Sequence, residues 1–258
     1  MKRKILILLA ITALAGFPLQ AKADIILGTA GDFAVLAGST VTNTGSSIID
    51  GGQVGTSPGS AITGFPPGVV VAPFTMHAGD AIAVHAQNDL TIAYNAAASL
   101  APTQDLTGYD LGGLTLVPGV YSFTSSAQLT GTLTLNNQGY PNAQFVFQIG
   151  STLTTASNSS VVMINDALTP GSNVFWQVGS SATLGTGTAF EGHILALSSI
   201  TLNTGATILD GSALARTGAV TLDTNIITNV VPEPATMTLI LIGGVTLGFR
   251  RWTAKSLH

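Results

Sequence analysis

A repeated motif places the strongest constraint on the fold of this 258-residue chain. Thr-Leu-x-Thr occurs four times, with successive spacings of 31, 18 and 20 residues, starting at Thr152, Thr183, Thr201 and Thr221. A related Thr-Leu-Thr starts at Thr132. Short β-branched runs at such a period, punctuated by Gly and Asn, are typical of β-solenoid coils, in which each repeat buries its apolar side against its neighbours. We therefore expect a mainly β fold.

The pattern within the repeats predicts which side chains face inward. Ile200 and Leu202 alternate with Thr201, so the apolar side chains point to one face of a strand and the hydroxyl to the other. Two other segments, 144–149 and 173–178, are almost uniformly apolar. Such strands are expected where both faces of a sheet are covered.

A helix is the predicted cover for those strands. Residues 78–100 carry apolar side chains at helical spacing, with Asp80 near the start and Pro102 after the end as start and stop signals. The predicted inward stripe is Ile82, Ala86, Leu90, Ala93, Ala97 and Leu100. The proline-rich segment 52–73 is predicted to be a loop or a cap on one end of the solenoid.

The two ends of the chain differ from the body. Residues 1–23 combine a basic start, an apolar run and an Ala-x-Ala ending, which predicts a signal peptide cleaved before Asp24. Residues 232–258 begin with Pro232-Glu233-Pro234, continue with fifteen mainly apolar residues and then present Arg250 and Arg251. Fifteen residues are marginal for a membrane span. The sequence therefore predicts export, a transient anchor in the membrane, and one domain over 24–231.

Charge and cysteine content exclude several classes of function. The predicted domain has eleven acidic residues against one basic residue, Arg216, a formal net charge of −10. Nucleic acid is not an expected partner, because phosphate binding requires clustered Lys and Arg. The chain has no cysteine, which excludes disulfides and thiolate sites. We expect Arg216 to pair with a nearby Asp.

Four long runs resemble the microbial ice-binding protein family. They are the segments 27–38 (LGTAGDFAVLAG), 64–68 (GFPPG), 110–121 (DLGGLTLVPGVY) and 173–186 (NVFWQVGSSATLGT). The resemblance implies a right-handed, discontinuous parallel β-solenoid of triangular section with one long α-helix alongside. It also implies adsorption to an ice surface through one flat solenoid face. The Pro-Glu-Pro segment and the arginines after it resemble the sorting signal processed by exosortases, which implies such an enzyme as a partner and a location at the cell surface or in the extracellular matrix.

Some members of that family carry a Thr-Ala/Gly-x-Thr/Asn motif on the ice-binding face. Segments 155–158 and 204–207 match this motif, whereas 186–189 and 44–47 depart from it at the last position. The resemblance implies the ice-binding residues Thr44, Thr155, Asn158, Thr186, Thr188, Thr204, Thr207 and Thr224. Residue alternation alone leaves a second row open, namely Thr132, Thr152, Thr183, Thr201 and Thr221. Strict alternation would separate Thr204 from Thr207, so a corner or bulge is expected between them.

Three other functions compete with ice binding. An enzyme would need paired carboxylates or a carboxylate with a basic partner, and Glu191 with His193, predicted to share a strand face, is the best pair. A surface or packing role for this pair is favoured, so no enzyme, cofactor or metal site is expected. Calcium-binding repeats of the Gly-Gly-x-Gly-x-Asp type are absent. The main alternative is a surface adhesin or matrix protein that binds extracellular polysaccharide and has no ice activity.

Overall fold

A computed structural model describes residues 25–140, 143–165 and 173–229. The predicted signal peptide and the predicted sorting signal, Pro232, Glu233, Pro234, Arg250 and Arg251, lie outside the described residues. A 3-10 helix, Gly28–Asp32, precedes the first strand, and one α-helix, α1, spans Ala81–Ser99. The strands are β1 Phe33–Ala37, β2 Thr40–Thr44, β3 Ile48–Asp50, β4 Gln53–Thr56, β5 Ala61–Thr63, β6 Val69–Val70, β7 Met76–Ala78, β8 Gln104–Asp105, β9 Thr115–Leu116, β10 Gly119–Phe123, β11 Ala127–Leu129, β12 Thr132–Asn136, β13 Phe145–Ile149, β14 Leu153–Thr155, β15 Ser160–Ile164, β16 Val174–Val178, β17 Ala182–Leu184, β18 Ala189–Ala196, β19 Ile200–Leu202, β20 Thr207–Ala215, β21 Val220–Asp223 and β22 Ile226–Thr228.

These strands stack in parallel as three rows, one row on each side of a solenoid. The seven-stranded sheet has the order β11-β14-β17-β19-β21-β2-β5. The second row, which we call the third face, has the order β9-β12-β15-β18-β20-β22-β3-β6. The last row, the helix-covered face, has the order β8-β10-β13-β16-β18-β20-β1-β4-β7. Strands β18 and β20 turn a corner and belong to two rows.

The stacking order is not the order of the chain. The N-terminal strands β1, β2 and β3 pair with the late strands β20, β21 and β22, so the first coils lie beside the last one. Helix α1 then carries the chain to the far end of the stack, where β8 begins the remaining coils. This arrangement confirms the predicted discontinuous solenoid.

Two apolar clusters hold the rows together. The interior contains the side chains of Tyr121, Phe147, Trp176 and Phe190, with Phe147 and Trp176 stacked at a centroid distance of 3.9 Å and an interplanar angle of 8°. The second cluster lies between α1 and the helix-covered face. Here Val146 and Phe175 point outward from their strands and are buried against the helix, as the apolar segments 144–149 and 173–178 predict.

Hydrogen bonds from polar side chains, in addition to apolar packing, hold helix α1 in place. Asp80 caps its N-terminus by accepting a hydrogen bond from the Ala83 N–H at 3.0 Å. The amide of Gln148 donates to the carbonyls of Ala97 and Leu100 near its C-terminus, at 2.7 and 2.8 Å. Polar groups thus anchor both ends of a helix whose buried positions are mostly alanine.

The segment 52–73, predicted to be a loop or a cap, is a terminal coil that includes strands β4, β5 and β6 and caps one end of the stack. Three other details of the sequence prediction are wrong. Ile82 is 52% exposed, because the buried stripe starts at Ala83. The Arg216 guanidinium lies 4.6 Å from the centroid of the Tyr94 ring, a cation–π contact in place of the expected Asp pair. Glu191 and His193 do not share a strand face, since the register shifts between them at the corner.

Candidate functional site

The seven-stranded sheet presents to solvent a column of polar side chains in register, six of which are threonines. Its strands pair in register at seven positions, so that one outward residue of each coil lies beside the next: Gln128, Thr154, Thr183, Thr201, Thr221, Thr42 and Thr63. The neighbours of these residues point inward: Ile200 and Leu202, for example, are buried, and Ile62 is partly buried. We call this set the threonine column.

The spacing within the threonine column is imposed by the backbone. Neighbouring strands lie about 4.8 Å apart, and alternate residues on one strand are about 6.7 Å apart. The outward residues two positions earlier, which include Thr152, Ser181, Ser199 and Thr40, form a second column of small side chains. Because threonine is β-branched, its methyl and hydroxyl lose little rotamer freedom on binding. The result is a regular two-dimensional grid of hydroxyl and methyl groups.

Among the described residues, the charged groups beside this grid lie at its margins, with Asp223 at the end of strand β21. Asp110 lies at one end, where it forms a bridge with Gln128. Burial raises the pKa of Asp110, but hydrogen bonds from the N–H groups of Gly112 and Thr130 outweigh this effect and hold the pKa below its ordinary value. The Asp110 carboxylate is therefore charged at neutral pH, and it is already bound by the protein's own backbone.

A second row of side chains runs along the corner between the seven-stranded sheet and the third face. Backbone N–H groups at Asn158, Gly187, Gly205 and Thr224 each donate to a carbonyl of the next coil, which stacks the corners in register. The side chains that precede these four residues, together with Thr44, whose carbonyl accepts the last of these bonds, form the corner row: Ser157, Thr186, Thr204, Asp223 and Thr44. The resemblance placed Thr186, Thr204 and Thr44 in the site, and all three are exposed on this corner.

The turn at this corner requires a left-handed backbone. Gly187 and Gly205 have φ of 67° and 71°, and Asn158 and Thr224 adopt 58° and 54° at the equivalent positions. This is the expected break between Thr204 and Thr207, and it places Thr207 on the third face. The Thr204 hydroxyl donates to the Asp223 carboxylate, and the Thr224 hydroxyl donates to the same group at 3.1 Å. Asp223 therefore restrains two of the predicted ice-binding threonines.

Two of the predicted ice-binding residues are inside the protein. Thr155 and Thr188 are 3% and 0% exposed, and their hydroxyl oxygens are 2.7 Å apart. The Thr155 hydroxyl also accepts a hydrogen bond from the Gly185 N–H at 2.8 Å. Both residues are internal ties between coils and their side chains cannot contact ice, which corrects their assignment to the site.

The reason for this error is a shift in the repeat. Leu153 pairs with Ala182 rather than with Leu184, so the copy of the motif at Thr152 is displaced by two residues relative to the next copy. Thr155 consequently occupies the inward column that holds leucine in neighbouring coils. Thr154, Thr42 and Thr63, which belong to the threonine column, lie outside the predicted set. Alternation around the inward Leu153 and Val41 is the signal that identifies Thr154 and Thr42.

The competing sites predicted from sequence do not assemble. Glu191 begins the corner on the third face, whereas His193 is buried on the helix-covered face. The Nδ1 atom of His193 lies 2.8 Å from the Ser212 hydroxyl, and the imidazole stacks on the Phe175 ring. Within residues 25–140, 143–165 and 173–229, no group of three or more His, Asp or Glu side chains could hold a metal ion.

The family model described as Ice-binding-like matches residues 35–228. The chain belongs to the ice-binding-like family. An ice-binding protein of Nostoc sp. (strain HG1) is 58% identical over 255 residues, covering 94% of this chain and 93% of the relative.

Solved structures of the family share the fold. The crystal structure of an ice-binding protein from an Antarctic biological consortium has a TM-score of 0.75 and 48% identity, covering 83% of this chain and 96% of that one. The ice-binding protein of the Antarctic ascomycete Antarctomyces psychrotrophicus has a TM-score of 0.73 and 41% identity, covering 80% of this chain and 98% of that one. In the part of the chain that the structure describes, no helix is long and apolar enough to cross a membrane.

Proposed function

We propose that this protein adsorbs to ice through the seven-stranded sheet and so inhibits ice growth and recrystallisation. The observation that carries the proposal is the threonine column, in which six threonines from stacked coils lie in register on the outer side of the seven-stranded sheet. Ice is an uncharged, periodic lattice of water, so a rigid periodic surface can make many weak contacts with it at once. A threonine hydroxyl both donates and accepts hydrogen bonds, which suits either kind of water neighbour.

The mechanism follows from rigidity. Water ordered between the methyl and hydroxyl groups of the grid joins the lattice, and the bound protein then blocks that part of the crystal surface. Growth continues only between adsorbed molecules, where the ice front becomes curved and further growth is unfavourable. Lysine would hold its own hydration shell in a non-ice arrangement, and the predicted domain contains no lysine.

A bulky substitution at the centre of the threonine column tests this proposal. Thr201→Tyr should abolish thermal hysteresis and recrystallisation inhibition, because the ring would hold the sheet away from a flat crystal surface. Asn95→Tyr, at an exposed position of α1, is the matched control and should keep wild-type activity. Circular dichroism and melting temperature establish that both variants are folded. Full activity in folded Thr201→Tyr would show that the ice-binding site is not on this sheet. A wild-type protein that is folded but has no ice activity would favour the alternative function, a matrix adhesin that binds polysaccharide.

The ends of the chain suggest where the protein acts. We propose that residues 1–23 direct export and that the Pro-Glu-Pro segment with Arg250 and Arg251 is processed by an exosortase-type enzyme, which releases the domain to the cell surface or matrix. Expression of the full chain in a host with and without such an enzyme, followed by mass spectrometry of the secreted form, tests this. A secreted protein that retains Arg250 and Arg251 would contradict the processing step.

A further inference from the structure

The third face carries a second ordered column beside the corner row. Its outward residues pair in register through seven coils: Thr132, Ser160, Ala189, Thr207, Ile226, Ile48 and Val69. We call this set the third-face column. Its members are small or β-branched and none is charged. It is therefore as regular as the threonine column, and it becomes more apolar toward Val69.

Solvent reaches the apolar end of this column. Ile226 is 44% exposed, Ile48 is 43% exposed and Val69 is 52% exposed, and they occupy adjacent coils of a sheet. A neighbouring outward position adds Leu209, which is 48% exposed. Contiguous exposed apolar side chains on a rigid sheet usually mark a surface that binds something.

The chemistry of the column favours ice over other partners. The exposed carboxylate of Asp50 lies on the same face, two residues beyond Ile48 in strand β3, and its charge disfavours contact with the same face of a second copy. The third-face column itself is uncharged and follows directly from the corner row that contains Thr186 and Thr204. Its side chains have the same strand spacing of about 4.8 Å as the threonine column.

We infer that the third-face column is a second ice-adsorbing surface. The inference rests on the proposed function, because it extends ice adsorption from one face of the solenoid to the next. The left-handed turns at Gly187 and Gly205 carry the chain round a corner, so the two columns cannot lie against one flat crystal plane. Each column therefore adsorbs to ice separately, and the protein binds two differently oriented surfaces.

Labelling of a single-crystal ice hemisphere with fluorescent full-length protein and its variants tests this inference. Ile226→Lys places a hydrated charge in the third-face column, Thr201→Tyr blocks the threonine column, and Ile92→Lys, at a 65% exposed position of α1, is the matched control. We expect Ile226→Lys to lose one set of labelled crystal planes, Thr201→Tyr to lose another, and the double variant to lose all labelling. Ile92→Lys should reproduce the wild-type pattern.

The outcomes separate the two proposals. A wild-type pattern in folded Ile226→Lys, together with complete loss in Thr201→Tyr, would overturn the second surface and leave the proposed function intact. Wild-type patterns in both variants would overturn both proposals. Sedimentation analysis of each protein completes the test, because a dimer that dissociates in Ile226→Lys would identify the third face as a self-association surface and overturn this inference.

Discussion

Thr154 and Thr155 are neighbours in sequence but lie on opposite sides of one strand. Thr154 points to solvent in the threonine column, whereas Thr155 is buried and accepts a hydrogen bond from Gly185. The same residue type therefore lies on the proposed binding surface at one position and forms internal hydrogen bonds at the next. Burial and register, rather than composition, determine which role a threonine has.

Substitution of Thr154 and Thr155 by valine should have different effects on the free energy of unfolding. Thr155→Val leaves the buried Gly185 N–H without its acceptor, so the free energy of unfolding should fall by about 1–3 kcal/mol. Thr154→Val, the matched control, changes an exposed side chain and should shift stability by no more than about 0.5 kcal/mol. Urea denaturation measures both values. Equal, small changes would contradict the internal tie between Thr155 and its neighbours.

Thr224 is the second informative residue, because a β-branched side chain rarely adopts a left-handed backbone. The equivalent positions in other coils are Gly45, Gly187, Gly205 and Asn158, which tolerate it. Thr224→Gly should raise the free energy of unfolding by about 1 kcal/mol, since relief of strain exceeds the added chain entropy of glycine. Thr42→Gly, in extended strand β2, should lower it. A destabilised Thr224→Gly in thermal denaturation would show that the Thr224 hydroxyl bond to Asp223 dominates.

At the scale of elements, the contact between α1 and the 3-10 helix Gly28–Asp32 should make the stability of the fold depend on pH. Asp89 on α1 accepts hydrogen bonds from the hydroxyl and the N–H of Thr29, at 2.6 and 2.8 Å. The Thr29 hydroxyl, followed by its N–H, holds the pKa of Asp89 below its ordinary value. The carboxylate therefore stabilises the fold above the unfolded pKa of about 4, and this contribution is lost as the pH falls through the lowered value.

Removal of this charge should flatten the acid response of the protein. Between about pH 5 and pH 2, the melting temperature of wild type should fall more steeply than that of Asp89→Asn, whose amide does not titrate in this range. Asp32→Asn removes a carboxylate at the end of the 3-10 helix that contains Thr29, and it is the control for the loss of charge alone. Parallel melting curves for wild type and Asp89→Asn across this range would contradict a role for the Asp89 contact.

The elements also show how far sequence reasoning extends. Apolar alternation and helical spacing predict the solenoid, the single helix and the two covered strands, because each of these patterns is local. Register is not local: the displacement of the Thr152 motif by two residues depends on how the coil at β14 stacks on β17. For the same reason, the residues Thr154, Thr42 and Thr63 become neighbours of Thr183, Thr201 and Thr221, members of the second row that alternation left open, only once the coils are aligned.

At the scale of the whole molecule, the first and last described segments meet. The Asn229 side chain donates to the Gly31 carbonyl at 2.9 Å, although these residues are 198 positions apart. Coils from the two ends of the domain pair directly through β1 with β20 and β3 with β22. The coils from the two ends of the domain are therefore neighbours inside the stack, and the stability of the fold depends on this junction.

A circular permutant tests this description. Joining Asn229 to Ile25 with a short Gly-Ser linker and opening the chain after Ala101, an exposed position that follows α1, preserves every strand pair. The permutant should unfold in one cooperative transition and keep its thermal hysteresis. Loss of cooperativity in calorimetry would mean that the covalent link between α1 and β8 is needed to position the helix.

The place where the described chain leaves the solenoid has a geometric consequence. Strand β22 belongs to the third face, so Asn229 lies at the corner between that face and the helix-covered face. In a triangular section, this corner is the one opposite the seven-stranded sheet. If the protein were attached to a surface through the residues beyond Asn229, its threonine column would face away from that surface. The column would then be directed toward ice that approaches from the surrounding solution.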